Sequence, residues 1–393
     1  KGPYVVAEKR EEGSPAGEVL PDILLQATRS VTFPKSMRWT SDGMEFARPI
    51  RWLVALLGEE ELELTINAVE AGRESRGHMF LSPDPFPLEE ADYWKYREEL
   101  ADRHVIVEPE ERRRMVREQV EEMLEAEGHA FHEDGLLHEV ANMVEYPCAA
   151  EGNFDPDYLE VPDPVLAAAM TEHQRYFPVY DGDGSLVPTF VSVVDRTEDE
   201  AETVIRGNER VLRARLEDAR FFWKKDRKTT LEDRVPELAN VVFLQELGSD
   251  LDRTERLEDA CEELAEKVGM DEAEDRDCCR AARLCKADLL TELVDEFPTL
   301  QGVVGRELAL EHGENQAVAE AIAGHYHPNA ADDPLPDRIE ARVLALADRL
   351  DMLVGCFALG LEPTGSKDPY ALRRQAQAAL RILKTPQFDL ATR

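Results

Sequence analysis

The 393-residue chain is 43% hydrophobic and carries 83 acidic against 46 basic residues, a formal charge of −37 at pH 7. That length exceeds one ordinary core and predicts about two to three domains, while no run of about 18 apolar residues exists to span a membrane. The acidity argues against a general nucleic-acid footprint, which is basic, and suits the self-repelling surface of a salt-adapted host.

Cys148, Cys261, Cys278, Cys279, Cys285 and Cys356 form no C-x-x-C pair and no regular framework. They predict reduced thiols in a cytosolic protein, with neither structural zinc nor a disulfide scaffold. The first residues, Lys1 to Ala7, lack an initiator Met and the apolar core of a signal peptide. They predict a chain that starts inside a longer protein.

Residues 1–82 mix strand and loop signals. Tyr4–Ala7 is a strand candidate, and Pro21 is expected to open a helix running to about Ser30. The run Leu53–Gly58 reads as one buried strand and Glu60–Val69 as a half-buried one. Lys35, Arg38, Arg48, Arg51, Arg73 and Arg76 crowd a segment that also holds Trp39 and Trp52. Interleaved cations and aromatics grip a phosphate backbone and stack a base, or form a salt-bridged surface beside a core tryptophan. Charged amphipathic patterns then predict helices over Pro87–Arg103 and Pro109–Gly128. His129, His132 and His138 beside Glu133 and Asp134 match no metal-binding spacing.

Pro164–Met170 is expected to be a short helix, followed by a hairpin whose strands flank Asp181–Gly184. Between them lies His173-Gln174-Arg175-Tyr176-Phe177-Pro178. His173 is a candidate base, but no nucleophile lies nearby in sequence, which favours a structural or RNA-contacting imidazole.

The segment Arg206–Trp223 organises the rest. Leu212, Leu216, Ala219 and Phe222 recur as one helical stripe, and Arg206, Arg210 and Arg213 recur on another face. Such a helix docks on a core and offers its outer face to an anion. The alternative is a solvated face whose arginines pair with Glu209, Glu217 and Asp218.

From about residue 237 the strand signal vanishes, which places a domain boundary near 235. Helices are predicted over 236–247, 250–268, 274–294, 299–312, 314–325, 336–359 and 368–384. Asp288 is expected on one helix of this part, His325 and His327 at the end of another and Asp348 on a third, an arrangement from which a divalent-metal phosphohydrolase can be built. Gly365-Ser366-Lys367 precedes Asp368-Pro369, read as an N-cap with Pro at the first helical position, with Arg373 and Arg374 one turn in. That place suits either a phosphate or a plain helix cap.

Several long strings resemble, in order, the beta subunit of bacterial glycyl-tRNA synthetase. They are Phe33-Pro34-Lys35-Ser36-Met37-Arg38-Trp39, Arg48-Pro49-Ile50-Arg51-Trp52, the His173–Pro178 string and Gly207-Asn208-Glu209-Arg210-Val211-Leu212. Glu296–Gly302, Ala347-Asp348-Arg349-Leu350-Asp351 and Pro363–Pro369 extend the match over nearly the whole chain.

The resemblance implies a cytoplasmic assembly of two alpha and two beta subunits that joins glycine to tRNA(Gly). ATP and Mg are then expected at the aminoacylation site of the alpha subunit. This chain would hold no catalytic residue and no cofactor, and would meet the alpha subunit, a second beta subunit and tRNA, but neither membrane nor DNA. It also implies a C-terminal anticodon-binding region beyond this chain.

The fold expected is α+β over 1–235, similar to the editing-type module of the phenylalanyl-tRNA synthetase beta subunit, then an all-α HD-like domain over 236–393. The His-Asp doublet of HD domains reads Ala287-Asp288 here, and Asp348 matches the last Asp, so these degenerate positions imply no bound metal. The tRNA-binding candidates are Lys35, Arg38, Arg48, Arg51, His173, Gln174, Arg206, Asn208, Arg210, Arg213, Lys367, Arg373 and Arg374. A divergent metal-dependent HD-type phosphohydrolase is the alternative.

Overall fold

A computed structural model describes residues 13–41, 43–125, 129–131, 134–365 and 367–388. The strand candidate at Tyr4–Ala7, the end of the second charged helix at Gly128, His132, Glu133 and Ser366 lie outside the described residues. The chain forms two compact units: 1–123 with 133–150 and 193–204, and 124–132 with 151–192 and 205–393.

The first unit opens with α1 (Ala16–Ser30), which starts earlier than Pro21 and keeps that proline inside its second turn. Short strands follow: β1 (Leu53–Val54), β2 (Leu56–Leu57), β3 (Glu60–Glu61), β4 (Thr65–Ile66), β5 (Val69–Gly72), β6 (Glu74–Arg76) and β7 (Pro85–Pro87). The apolar run at 53–57 is therefore not one strand. β1 pairs parallel with β5, whereas β2 pairs antiparallel with β3. Ala55 bridges the two, donating to the Gly72 carbonyl and accepting from Leu62 N–H.

Met44, Ala55, Leu62, Leu64 and Ile66 make one small core of this unit, and Phe86, Leu88 and Leu100 another. α2 (Tyr93–Ala101) begins at Asp92, whose side chain accepts from the N–H groups of Trp94 and Lys95; Pro87 belongs to β7 rather than to this helix. α3 (Pro109–Glu125) and α4 (Asp134–Ala141) follow.

β8 (Cys148–Asn153), α5 (Asp163–Gln174), β9 (Phe177–Tyr180) and β10 (Leu186–Val194) come next. β9 and β10 form the expected hairpin, and the sheet order is β8-β10-β9. α5 runs further than Met170. It ends at Arg175 in the left-handed region (φ 58°), so His173 and Gln174 form its last turn.

α6 (Glu198–Asp226) carries the arginine row. Three acids in its first turn and Lys224 and Lys225 in its last complement the helix dipole.

Beyond residue 226 come α7 (Leu231–Arg234), a 3-10 turn over Val235–Asn240, and the strands β11 (Val242–Leu244) and β12 (Gly248–Ser249). The helix expected over 236–247 is thus replaced by a 3-10 turn and a hairpin. Pro236 lacks an N–H, and Gly248 takes φ 90°, a conformation open to glycine.

α8 (Asp250–Val268), α9 (Glu272–Leu284), α10 (Glu292–Glu296), α11 (Val303–Glu311), α12 (Gln316–Gly324), α13 (Ile339–Ala358) and α14 (Leu372–Leu383) complete the second unit. The expected 274–294 helix is broken by a 3-10 turn at Ala287–Leu290. Phe190, Leu212, Leu216, Trp223, Leu257, Leu308 and Ile322 share one core. That shared core is why the units divide differently from a cut at residue 235. Among the described residues no helix is long and apolar enough to cross a membrane.

Candidate nucleic-acid interface

On α6 the buried stripe is Leu212, Leu216, Ala219 and Trp223, with Phe222 only half-buried. Arg206, Arg210 and Arg213 are exposed on the opposite side. The acids expected to neutralise them are engaged elsewhere. Glu209 accepts from Asn153 N–H at 3.0 Å, Glu217 accepts from the Tyr158 hydroxyl at 3.1 Å, and Asp218 lies 3.7 Å from Arg215. Among the described residues neither Arg210 nor Arg213 has an ion-pair partner.

Further along the helix and just past its end the cations are matched: Arg220 and Lys224 to Glu160, Lys225 to Glu292 and Arg227 to Glu311. Arg210 and Arg213 therefore stand open near the middle of the helix. Asn208 does not join them, because its amide donates to Ser192 Oγ at 3.0 Å and ties the helix to β10.

His173 is exposed but stacks on Phe297 with ring centroids 5.1 Å apart, and Glu172 accepts from Thr299 Oγ1 beside it. Gln174 is half-buried at the end of α5. This turn packs against the Phe297–Leu300 segment instead of offering a base and nucleophile.

The loop before α14 differs from a free phosphate site. The N-cap is Ala371, and Pro369 lies outside the helix. Asp368 reaches forward and accepts from the N–H groups of Leu372 (2.8 Å) and Arg373 (3.0 Å). The chain's own carboxylate thus fills the anion position, and those N–H groups hold its pKa below the ordinary value. Arg373 donates to the Gly365 carbonyl at 2.8 Å, while Lys367 and Arg374 are exposed.

In the first unit Met37 and Phe46 form an antiparallel bridge that sets Lys35–Arg38 beside Glu45–Arg48. Arg38 pairs with Glu45 at 2.5 Å and Arg73 with Glu61 at 2.6 Å. Lys35 and Arg51 are exposed without an ion-pair partner among the described residues, and the exposed Arg48 donates to the Ala47 carbonyl at 3.0 Å. His78 of the same unit is buried. Its Nδ1 accepts from the N–H groups of Phe80 and Leu81, so Nε2 donates to Asp195 Oδ2 at 3.1 Å.

The third constellation is the buried cluster of the helical part. His325 Nδ1 donates to the Ile322 carbonyl at 2.6 Å, leaving Nε2 to accept from Lys286 Nζ at 2.7 Å. Lys286 also lies 3.1 Å from Asp348 Oδ1, and the same oxygen accepts from Arg253 at 2.8 Å. Burial and the neighbouring ammonium push the imidazole well below its ordinary pKa. Burial opposes ionisation of Asp348, yet Arg253 and Lys286 hold its carboxyl well below the usual range.

Asp288 accepts from the N–H groups of Gly302 (2.6 Å) and Gly305 (3.2 Å), and so caps α11. Burial raises its carboxyl to about 6 against those bonds, while among the described residues its Oδ1 has no hydrogen-bond partner.

A divalent metal does not fit these residues. The imidazole nitrogen and the carboxylate that would bind it already hold an ammonium, with a guanidinium alongside. His327 is exposed and faces Asp333 at 3.6 Å. Among the described residues no group of three or more His, Cys, Asp and Glu could hold a metal. Arg253 escaped the sequence reading because it lies on α8, 95 residues from Asp348, and no spacing connects them.

The glycyl-tRNA synthetase beta subunit model matches residues 1–393. The chain belongs to the glycyl-tRNA synthetase beta subunit family. Proteins named glycine–tRNA ligase beta subunit are similar to it along nearly its whole length. The one from Halothermothrix orenii is 44% identical over 390 residues, covering 99% of this chain and 57% of the relative. That from Moorella thermoacetica is 45% identical over 382 residues (97% and 55%), and that from Streptococcus thermophilus 46% over 381 (97% and 56%). The chain thus spans little more than half the length of these glycyl-tRNA synthetase beta subunits.

Proposed function

We propose that this chain is the tRNA-gripping portion of a glycine–tRNA ligase beta subunit. In that role it works in the cytoplasm with an alpha subunit and a second beta subunit to join glycine to tRNA(Gly). ATP, Mg and the bond-making belong to the alpha subunit, and this chain supplies positioning through phosphate contacts. The observation that carries the reading is the outward row on α6. In a chain with a large surplus of acid, Arg210 and Arg213 stand unmatched while Glu209, Glu217 and Asp218 bind other groups.

The helical part is then an HD-like domain whose metal chemistry has been replaced by the Lys286 cluster. The N-terminal part is a relative of the editing-type module. Mixing the beta subunit with its alpha partner and measuring glycylation of tRNA(Gly), with Arg210→Ala and Arg213→Ala introduced together, tests the reading. A rise in the KM for tRNA with glycine activation unchanged is expected. Unchanged kinetics would remove α6 from the interface.

A further inference from the structure

The first unit holds a cavity of about 740 Å³ whose wall includes Arg51, Trp52, Ser75, Arg76, Tyr96 and Glu145. We propose that it binds a single unstacked nucleotide of an RNA strand. The proposal rests on the reading of the chain as an RNA-gripping subunit for the source of that nucleotide only.

Three features of the cavity fit three parts of a nucleotide. Trp52 keeps 43% of its surface open, and the Arg76 guanidinium lies 6.0 Å from its ring centroid. An open indole flanked by a cation is a platform for a base. Arg51 and Arg76 are exposed, and among the described residues neither has an ion-pair partner. Elsewhere in the unit Arg38, Arg73, Arg97 and Arg103 pair with Glu45, Glu61, Glu111 and Glu99. Carboxylates are abundant on this chain, so two unmatched guanidiniums on one cavity mark a place for an external anion.

The polar edge is the third feature. Ser75 Oγ and the Tyr96 hydroxyl lie 2.9 Å apart, and the exposed Glu145 lines the same cavity. Desolvation and the nearby Asp195 carboxylate raise the pKa of Glu145, against the opposing pull of His78 and Arg112. A carboxylate accepts from the exocyclic amine of adenine or cytosine, a group that uracil lacks.

The test is binding of labelled oligoadenylate and oligouridylate trimers to this chain at low salt. Saturable binding that favours the adenylate is expected. Trp52→Ala should raise its Kd about tenfold or more while Trp52→Phe largely retains it. Arg51→Ala with Arg76→Ala should also weaken both trimers, and Glu145→Gln should narrow the preference. The Arg210→Ala and Arg213→Ala pair, in the other unit, should weaken tRNA while leaving the adenylate-over-uridylate preference of the trimers intact. No trimer binding, or equal binding by the Trp52→Ala chain, overturns the proposal even where tRNA binding survives. Occupation by an apolar peptide that the trimer cannot displace overturns it too.

Discussion

Lys286 Nζ lies 2.7 Å from Nε2 of His325, where an imidazole in a metal site would meet its ion. The ammonium stands between that nitrogen and Asp348 Oδ1, 3.1 Å away, and nearly all of its side chain is buried. One covalently tethered cation thus does electrostatically what an exchangeable one would do, without opening a coordination position to water.

Replacing Lys286 by Met keeps the volume but leaves Asp348 with Arg253 as its main counter-charge. Removing one partner of a buried ion pair costs about 3–5 kcal/mol, and the remaining guanidinium places the expected loss at the lower end. A urea midpoint within error of the parent chain would show that the ammonium contributes no net stability. Chelators should leave the parent chain's midpoint unmoved.

Near neutral pH, above the acid range in which Asp348 responds, the response of the cluster and its neighbour Asp288 has two opposing parts. The folded pKa of His325 is depressed, so its contribution is present above the unfolded value of about 6.5 and lost as pH falls below it. Asp288 is raised to about 6, so its contribution is present below its unfolded value and lost as pH rises through about 6. Asp288→Asn deletes only the second part. Relative to the parent, the Asn chain should gain about 2–3 kcal/mol between pH 4 and pH 7. Urea midpoints of both chains at three pH values check this, and a constant difference would mean that Asp288 does not titrate there.

Much of the second unit is legible from local rules. The helix expected over 250–268 is found as Asp250–Val268, because Ser249 and Asp252 make a reciprocal cap and Gly269 ends it at φ 76°. The stripe of α6 is legible for the same kind of reason, since periodicity alone buries Leu212, Leu216 and Ala219. What escaped depends on long-range partners. The run at 53–57 changes partner strand at Ala55, and Asp368 caps α14 from four residues before Leu372. The Lys286 cluster is assembled from α8, a 3-10 turn, the end of α12 and α13, and no local window contains it. On α6 the arginine spacing was visible, but the other engagements of Glu209 and Glu217 were not.

Gly152 tests the packing beneath α6. A Cβ there would overlap the ring of Phe190, falling 2.7 Å from Cε1, and would press on Ile205 Cγ2 at 3.1 Å. Phe190 is fully buried and stacks on Tyr176 at 4.8 Å, so it has no room to retreat. Gly152→Ala should therefore destabilise the chain by about 1–3 kcal/mol through overpacking. An unchanged thermal midpoint would mean that β8 and β10 separate without cost.

Salt should act on folding and on RNA binding with opposite signs. The formal charge of −37 makes the folded surface repel itself, and at 1 M salt the screening length falls to about 3 Å. Thermal midpoints should therefore rise as KCl goes from about 0.05 to 1 M. A flat profile would show that the acidity is not a salt adaptation. Binding of tRNA to the same chain should weaken over that range, because each neutralised phosphate releases counter-ions. For Arg210→Ala with Arg213→Ala, the slope of log K against log salt should be shallower by about 1.4–1.8. Loss of affinity at an unchanged slope would instead mean that these side chains shape the protein and do not touch phosphate.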